Sequence, residues 1–383
     1  MLQTPPLSLY IHIPWCVVKC PYCDFNSHAV KGDLPEQTYI DSLLADLELD
    51  LPQVWGRTVH SIFIGGGTPS LFSGQAMDTL LSGVRARVPL APDAEITMEA
   101  NPGTVEHDRF EHYRAAGINR ISLGIQSFNG QHLKTLGRIH DGEQARRAVD
   151  AVKTAGFERF NLDLMWALPG QTVDEALADV EQALAFAPGH LSHYQLTIEP
   201  NTVFAARPPA LPGEDLTWDI QEACAERLGQ AGFDAYEISA WTQPGQASRH
   251  NLNYWRFGDY LGIGAGAHGK ITLPAEQRIV RLRRKTVPHS YLQAAGTREF
   301  IAERRELNPE DCIFEYFLNR LRLAEPCPLN EFEARTGLGR EHLEAPLNRA
   351  QALGLVEIHD EQIHRSARGA QYLNDLQALF LPR

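Results

Sequence analysis

Cys16-Val17-Val18-Lys19-Cys20-Pro21-Tyr22-Cys23 sets three thiols at the spacing Cys-x3-Cys-x2-Cys. The hook follows directly on Leu7-Ser8-Leu9-Tyr10-Ile11-His12-Ile13, whose apolar alternation predicts a β-strand. Thiolates are soft ligands that select zinc, cuprous copper or iron–sulfur clusters. A structural zinc site wants four protein ligands, commonly from two paired hooks. Here the hook is triple and no second hook follows. A 4Fe–4S cube usually takes four thiolates, so three from one loop would leave one iron open to a non-protein ligand. Two plainer readings stand beside the cluster. The thiols also suit buried small hydrophobes, or a zinc site completed by His12 or His28.

Outward from the hook, strand and helix patterns alternate six times up to about residue 232. Strands are predicted over 7–13, 59–64, 94–99, 119–125, 158–163 and 190–198. Helices are predicted over 36–51, 75–87, 106–116, 142–155, 172–186 and 214–231, and Thr172-Val173-Asp174-Glu175 opens one with capping-box spacing. Repeated strand–helix units imply a parallel sheet. Six are too few for a closed eight-fold barrel, and they suit an open partial barrel or a doubly wound sheet. From 233 to about 300, short strands at 234–239 and 278–283 alternate with turns such as Gly262-Ile263-Gly264-Ala265-Gly266, read as a sheet extension. From 301 to 383 the pattern turns helical, at 309–323, 329–336, 340–353 and 366–380, with a hairpin at 355–364. This predicts a small winged-helix-like domain.

Composition narrows the function. A formal net charge of −13 argues against binding nucleic acid by phosphate neutralisation. The last 83 residues hold 14 acidic and 10 basic side chains, so their winged-helix-like pattern does not predict DNA binding either. No signal peptide and no apolar run of membrane-spanning length is visible. Cys224, Cys312 and Cys327 are scattered. The expectation is a reducing cytoplasm without disulfides.

In barrels of parallel strands the active site gathers at the C-terminal strand ends, and polar residues cluster at those ends here. The cysteines follow strand one, and Gly65-Gly66-Gly67-Thr68-Pro69-Ser70 follows strand two. Glu99 and Asn101 end strand three, Gln126 and Arg138 follow strand four, Asp163 ends strand five, and Thr197 and Glu199 end strand six. The glycines fit a tight turn, a phosphate cradle or a close backbone approach to a ligand. Each acid fits a structural cap or ion-pair partner as well as a ligand contact.

The hook after an N-terminal strand resembles the radical SAM superfamily. Its flanks, Tyr-Ile-His-Ile-Pro-Trp-Cys and Cys-Pro-Tyr-Cys-Asp-Phe, are similar to the branch holding oxygen-independent coproporphyrinogen III oxidase and related haem chaperones. The resemblance implies a partial (β/α)6 barrel. It also implies a 4Fe–4S cluster on Cys16, Cys20 and Cys23, whose open iron takes the amino and carboxylate groups of S-adenosylmethionine (SAM). By the same resemblance Gly66, Gly67 and Thr68 hold the SAM amino group, and Tyr10, Tyr22, Glu99, Gln126, Arg138 and Asp163 match further SAM contacts. The charges agree: acids suit the cationic groups and hydroxyls of SAM, and a guanidinium fork suits its carboxylate.

His250-Asn251-Leu252-Asn253-Tyr254-Trp255 fits His-Asn-x-x-Tyr-Trp, which resembles the motif marking haem chaperones within this branch. Histidine is a common haem ligand, and Tyr and Trp offer flat apolar area. A histidine beside aromatics also fits a packed surface residue. The basic run Arg278, Arg281, Arg283, Arg284, Lys285 suits haem propionates or a solvated face. The oxidase carries a fourth cysteine where Phe25 stands, and a longer segment before its first strand, where six residues precede Leu7 here. The expectation is therefore a haem chaperone. Haem and haem-requiring proteins, such as respiratory cytochromes, would be its partners, a homodimer is compatible, and membrane contact would come through partners. The alternative is the oxidase itself.

Overall fold

The computed structural model describes residues 1–104 and 107–382. Its centre is a twelve-stranded sheet. Strands β1 (Leu7–Ile13), β2 (Val59–Gly66), β3 (Leu90–Ala100), β4 (Arg120–Gln126), β5 (Arg159–Trp166) and β6 (His190–Gln195) lie side by side in chain order, all parallel. Helices α1 (Glu36–Asp50), α2 (Gly74–Arg85), α3 (His107–Ala116), α4 (Gly142–Thr154) and α5 (Val173–Ala185) form the crossovers, and α6 (Glu214–Gln230) follows β6. All six expected units are present; the expected start of α3 at residue 106 lies outside the described residues.

Local chemistry accounts for the elements. Six of the seven β1 residues are buried, as a strand covered on both faces requires. Helix α5 starts with the expected capping box: Thr172 Oγ1 accepts from Glu175 N at 3.3 Å, and Glu175 Oε2 accepts from Thr172 N at 3.0 Å.

Beyond β6 the chain adds antiparallel strands at both edges. Strands β7 (Asp234–Glu237) and β8 (Ala240–Thr242) extend one side through β8, which pairs with β6. On the other side β9 (Asp259–Ile263) runs parallel beside β1, followed by β10 (His268–Leu273), β11 (Arg278–Arg284) and β12 (Ile301–Glu306). The order β12-β11-β10-β9-β1-β2-β3-β4-β5-β6-β8-β7 leaves two free edges, so the barrel is open.

Three expectations are corrected. Gly262 and Ile263 belong to the buried strand β9, not to a turn; a Cβ at Gly262 would run into the His268 carbonyl, so the glycine allows close strand packing. Gly264 and Gly266, at φ +103° and +84°, do turn the chain. Residues 301–306 form edge strand β12 rather than helix. Their Glu and Arg residues favour helix, but the pairing with β11 wins, helped by the cross-strand Arg283–Glu303 ion pair at 3.1 Å. The helix expected over 366–380 breaks at Tyr372 into two short pieces. The segment Arg249–Trp255 is a further helix, α7, whose N-cap is Ser248.

Two apolar cores result. The main one unites the parallel strands and their helices with Leu261, Ile263, Tyr291 and Phe300 of the extension. The second gathers Leu2, Phe257, Tyr316, Phe317, Phe332 and Phe380 around helices α8 (Pro309–Arg320), α9 (Leu329–Thr336) and α10 (Glu344–Ala352) and a small three-stranded sheet. Among the described residues no helix is long and apolar enough to cross a membrane.

One buried ion cluster ties the extension to the barrel. Arg284 bonds Asp46 Oδ1 at 2.7 Å and also Asp50, while Tyr291 donates to Asp46 Oδ2 at 2.7 Å. Arg284 is fully buried, which removes it from any solvated face. Burial lifts the Asp46 carboxyl to about 6 against the pull of Arg284. Arg284→Met strands two acids without their cation, and the expected loss is about 3–5 kcal/mol of stability in urea titrations. Unchanged stability would show that the cluster is energetically idle.

Candidate functional site

The hook and the glycine loop are built as neighbours. Gly67 N donates to Ile13 O and Thr68 N to Trp15 O, both at 2.7 Å, so the loop after β2 continues along the chain leaving β1. Gly66 has φ +111°, and a Cβ there would collide with the His12 ring. Asn26 anchors the end of the hook by donating to Ala265 O and Thr286 O at 2.9 Å each. Cys16, Cys20 and Cys23 are half-buried and free, and they line a cavity of about 760 Å³. That volume is within the usual range for ligand pockets, about 300–1,000 Å³.

Side-chain geometry weighs against zinc. Both His12 nitrogens are engaged, Nδ1 with Tyr10 Oη at 2.9 Å and Nε2 with Asn26 O at 2.8 Å. His28 Nε2 lies 3.3 Å from Asn26 Oδ1. Among the described residues no three His, Cys, Asp or Glu side chains converge where one metal ion could sit. A 4Fe–4S cube instead meets each thiolate at a different iron, which suits three thiols spread around a cavity wall.

The same cavity is lined by Tyr22, Gly66, Gly67, Thr68, Glu99, Asn101, Gln126, Arg138, Asp163, Thr197 and Glu199. Tyr10 does not line it. Arg138 donates to Gly124 O at 2.8 Å, and its Nη1 lies 3.4 Å from Tyr22 Oη and 3.6 Å from Cys20 Sγ. Its Nε is a buried donor without an acceptor. Burial opposes the Arg138 charge, but Tyr22 and Cys20 outweigh it and hold the guanidinium protonated. Burial also pushes the Cys16 and Cys23 thiols up. The Arg138 cation and its orphan N–H thus sit beside the hook, where a thiolate-bound cluster and an anionic ligand group would find a counter-charge. Gln126 holds the left-handed conformation at φ +68° and accepts from Tyr194 Oη at 2.6 Å.

The inner wall holds two acids. Glu99 Oε2 accepts from Gly66 N at 3.0 Å. Burial, reinforced by the Asp163 charge, lifts Glu99 to about 7. Burial raises Asp163 too, against hydrogen bonds from Ser192, Asn161 and Ser122. A polar chain leads on from Asp163. Asn161 donates to Asp163 Oδ1 at 2.7 Å, and Asn161 Oδ1 lies 2.6 Å from His190 Nδ1. Burial keeps His190 neutral, so Nδ1 donates to Asn161 and Nε2 accepts from Tyr236 Oη at 3.0 Å. Tyr236 in turn meets the Asn251 side chain.

Helix α7 reaches the opposite end of the cavity, and its residues divide. Asn251 and Trp255 line the cavity; His250 and Tyr254 do not. The His250 ring is buried beneath Phe63 and Tyr10, at 5.1 and 6.5 Å between centroids, with Nδ1 3.3 Å from Ser61 Oγ. Burial pushes its pKa down to about 3. Tyr254 packs on Trp255 and Tyr260.

The basic run lies outside this cavity, and each member is ion-paired: Arg278 with Glu306, Arg281 with Glu315, Arg283 with Glu303, Arg284 with Asp46 and Lys285 with Glu299. Sequence reasoning missed Ser122, Asn161, His190, Ser192, Tyr194 and Arg322. Asn161 was within reach, since strand period two puts it on the same face as Asp163. Arg322 carried no local signal.

The lifted Glu99 has a measurable consequence. Unfolded chains release this proton near 4.5, whereas the folded chain holds it to about 7. Glu99 therefore makes stability fall as pH rises through that window, by up to about 1.4 kcal/mol per unit. Unfolding titrations of Glu99→Gln should show a shallower decline between those limits. An identical pH slope in both proteins would contradict the buried, protonated Glu99.

Comparison with known proteins identifies the family. The family model described as Radical SAM superfamily matches residues 10–183, and that described as HemN C-terminal domain matches residues 307–372. The chain is 53% identical to the heme chaperone HemW of Escherichia coli (strain K12), covering 100% of both chains. It is 50% identical to heme chaperone HemW of Haemophilus influenzae, over 100% of this chain and 99% of that one. Identity to the Mycobacterium tuberculosis heme chaperone HemW is 37%, over 95% and 92%. The solved structure of coproporphyrinogen III oxidase (HemN) from Escherichia coli superposes with a TM-score of 0.83 at 24% identity, over 98% of this chain and 90% of that one, which shows a shared fold. Superfamily membership implies a 4Fe–4S cluster and SAM. The chain belongs to the HemW family within the radical SAM superfamily.

Proposed function

We propose that this protein is a haem chaperone that binds haem and delivers it to haem-requiring proteins. The observation that carries the reading is the cavity. Asn251 and Trp255 of the His-Asn-x-x-Tyr-Trp segment line the same space as the three cysteines. Cluster, SAM and haem would then share one chamber. The relatives' name supports the cargo.

In this reading Cys16, Cys20 and Cys23 hold the cluster, which when bound supplies an electron-transfer centre with an open iron for SAM. The protein's own part is to bind and orient. Arg138 offers its fork to a carboxylate, the Gly66–Thr68 loop offers backbone groups, and Glu99 and Asp163 face the cationic parts and hydroxyls. Trp255 would offer a flat apolar face to a porphyrin, and His250 would supply an imidazole to its iron. Residues 1–232 would form the cluster and SAM unit, 233–306, through strand β12, the part carrying the haem segment, and the residues from 307 on the C-terminal domain. The acceptors are haem-requiring proteins met in the cytoplasm or at a membrane surface.

Arg138→Ala is expected to weaken SAM binding about ten- to hundredfold, as loss of a hydrogen bond to a charged group does, and to leave cluster content intact. Calorimetry and iron and sulfide analysis measure the two, and unchanged SAM affinity would remove Arg138 from the site. Cys20→Ala should abolish the cluster. Zinc without sulfide in anaerobically purified protein would replace the cluster reading.

Haem titration of the anaerobically reconstituted protein should saturate at one haem per chain. If His250 ligates iron, His250→Ala will alter the Soret band; an unaltered band with weaker binding by Trp255→Ala assigns the site to flat contact. The rival oxidase function has its own assay, incubation with SAM, a reductant and coproporphyrinogen III without oxygen. Protoporphyrinogen IX at several turnovers per chain would overturn the chaperone reading.

A further inference from the structure

The cavity wall includes two cationic side chains, and they lie at different ends. Arg138 sits beside the hook. Arg322 comes from the segment after α8 and meets Trp255 of helix α7. Its guanidinium carbon lies 4.4 Å from the centre of the Trp255 ring, within the range of a cation–π contact. Nη2 donates to Glu237 Oε2 at 2.9 Å. Glu237 is itself held, because its Oε1 accepts from Ser239 N at 2.9 Å.

The remaining donors are unused. Arg322 Nη1 has no acceptor among the described residues, and Nε is a buried donor without one. The Trp255 indole N–H is also buried and unpaired. Buried donors are normally satisfied, and each exception calls for a physical reason. The side chain keeps 28% of its surface open, so a ligand in the cavity can reach it.

The backbone around Arg322 is pinned. Ala324 N donates to Tyr236 O at 2.9 Å, Leu323 bridges Glu237, and Arg365 Nη1 donates to Leu321 O at 2.7 Å. Arg322 is therefore presented by a fixed support, as a preorganised anion contact requires. The basic run at 278–285 is ion-paired elsewhere, so it does not compete for this role.

We propose that Arg322, stacked on Trp255 and held by Glu237, is a carboxylate-recognising subsite at the end of the cavity away from the cysteines. The ligand class it fits is a flat aromatic molecule bearing a carboxylate, with the ring system against Trp255 and the carboxylate on the free edge of the guanidinium. Charge-assisted pairing of this kind favours Arg over Lys. The subsite rests on the haem-binding reading, in which the carboxylate is a haem propionate.

The test compares haem with its dimethyl ester, whose propionates are blocked, by difference absorbance titration of the full-length reconstituted protein. The wild type should bind haem about ten- to hundredfold more tightly than the ester. Arg322→Gln should bind the two equally, with ester affinity near that of the wild type and cluster content unchanged. Glu237→Gln removes the competing carboxylate charge from Arg322 and should widen the preference for haem, which keeps a readout if the Arg322 variant misfolds. Undiminished preference in Arg322→Gln, or a preference lost in Glu237→Gln, would overturn the subsite while leaving haem binding itself in place. A wild type that binds neither compound would overturn both the subsite and the chaperone reading.

Discussion

The site depends on a close approach between Gly66 and the His12 ring. No Cβ fits there. His12 is fixed from both nitrogens, by Tyr10 Oη and Asn26 O, and Asn26 is fixed in turn by Ala265 O and Thr286 O. A side chain at position 66 would push on His12, and the push would pass to Asn26 and the hook. The glycine run is therefore a packing requirement before it is a ligand contact. Its N–H groups are taken up by that packing: Gly66 N meets Glu99, and Gly67 N and Thr68 N continue the pairing of β1 with β2.

An open barrel with a polar lumen has an electrostatic problem. Glu99, Asp163, Asn161 and His190 are removed from bulk water, where unpaired polar groups are costly. The chain answers by connecting them. Asp163 accepts from Ser122 and Asn161, Asn161 bridges to a neutral His190, and Tyr236 donates to His190 in turn. Glu99 has one backbone donor and a like charge nearby, and its pKa rises accordingly. The same chain runs from Asp163 on the cavity wall through Asn161 and His190 to Tyr236.

The C-terminal segment contributes to the chamber as well as packing its own core. Helix α8 ends at Arg320, and the next residues pair with β7 before the chain turns away. That short contact places Arg322 over Trp255 and against Glu237. One wall of the cavity thus combines residues from β7, α7 and the C-terminal segment, brought together by a few backbone bonds and the Arg322–Glu237 and Arg256–Glu325 ion pairs.

The amino-acid order alone carried the six strand–helix units, the capping box at Thr172, the polar rim at the strand ends and the triple hook, because each is a local pattern of period, spacing or turn chemistry. Strand β9 escaped it. Five residues, one of them glycine, carry no helical or alternating signature, and their place beside β1 is set by pairing across some 250 positions. Strand β12 escaped for the opposite reason: its charges favour helix, and only the partner strand outweighs them. The hexapeptide at 250–255 was legible as a motif, but the division between Asn251 and Trp255 at the cavity and His250 beneath Phe63 came from how helix α7 docks. Arg322 is the extreme case. Nothing within ten residues of it points to a site, since its neighbours Trp255 and Glu237 lie far away in the chain and meet it only when the cores form. Local chemistry is written residue by residue, whereas a chamber assembled from distant segments exists only after their burial has brought them into contact.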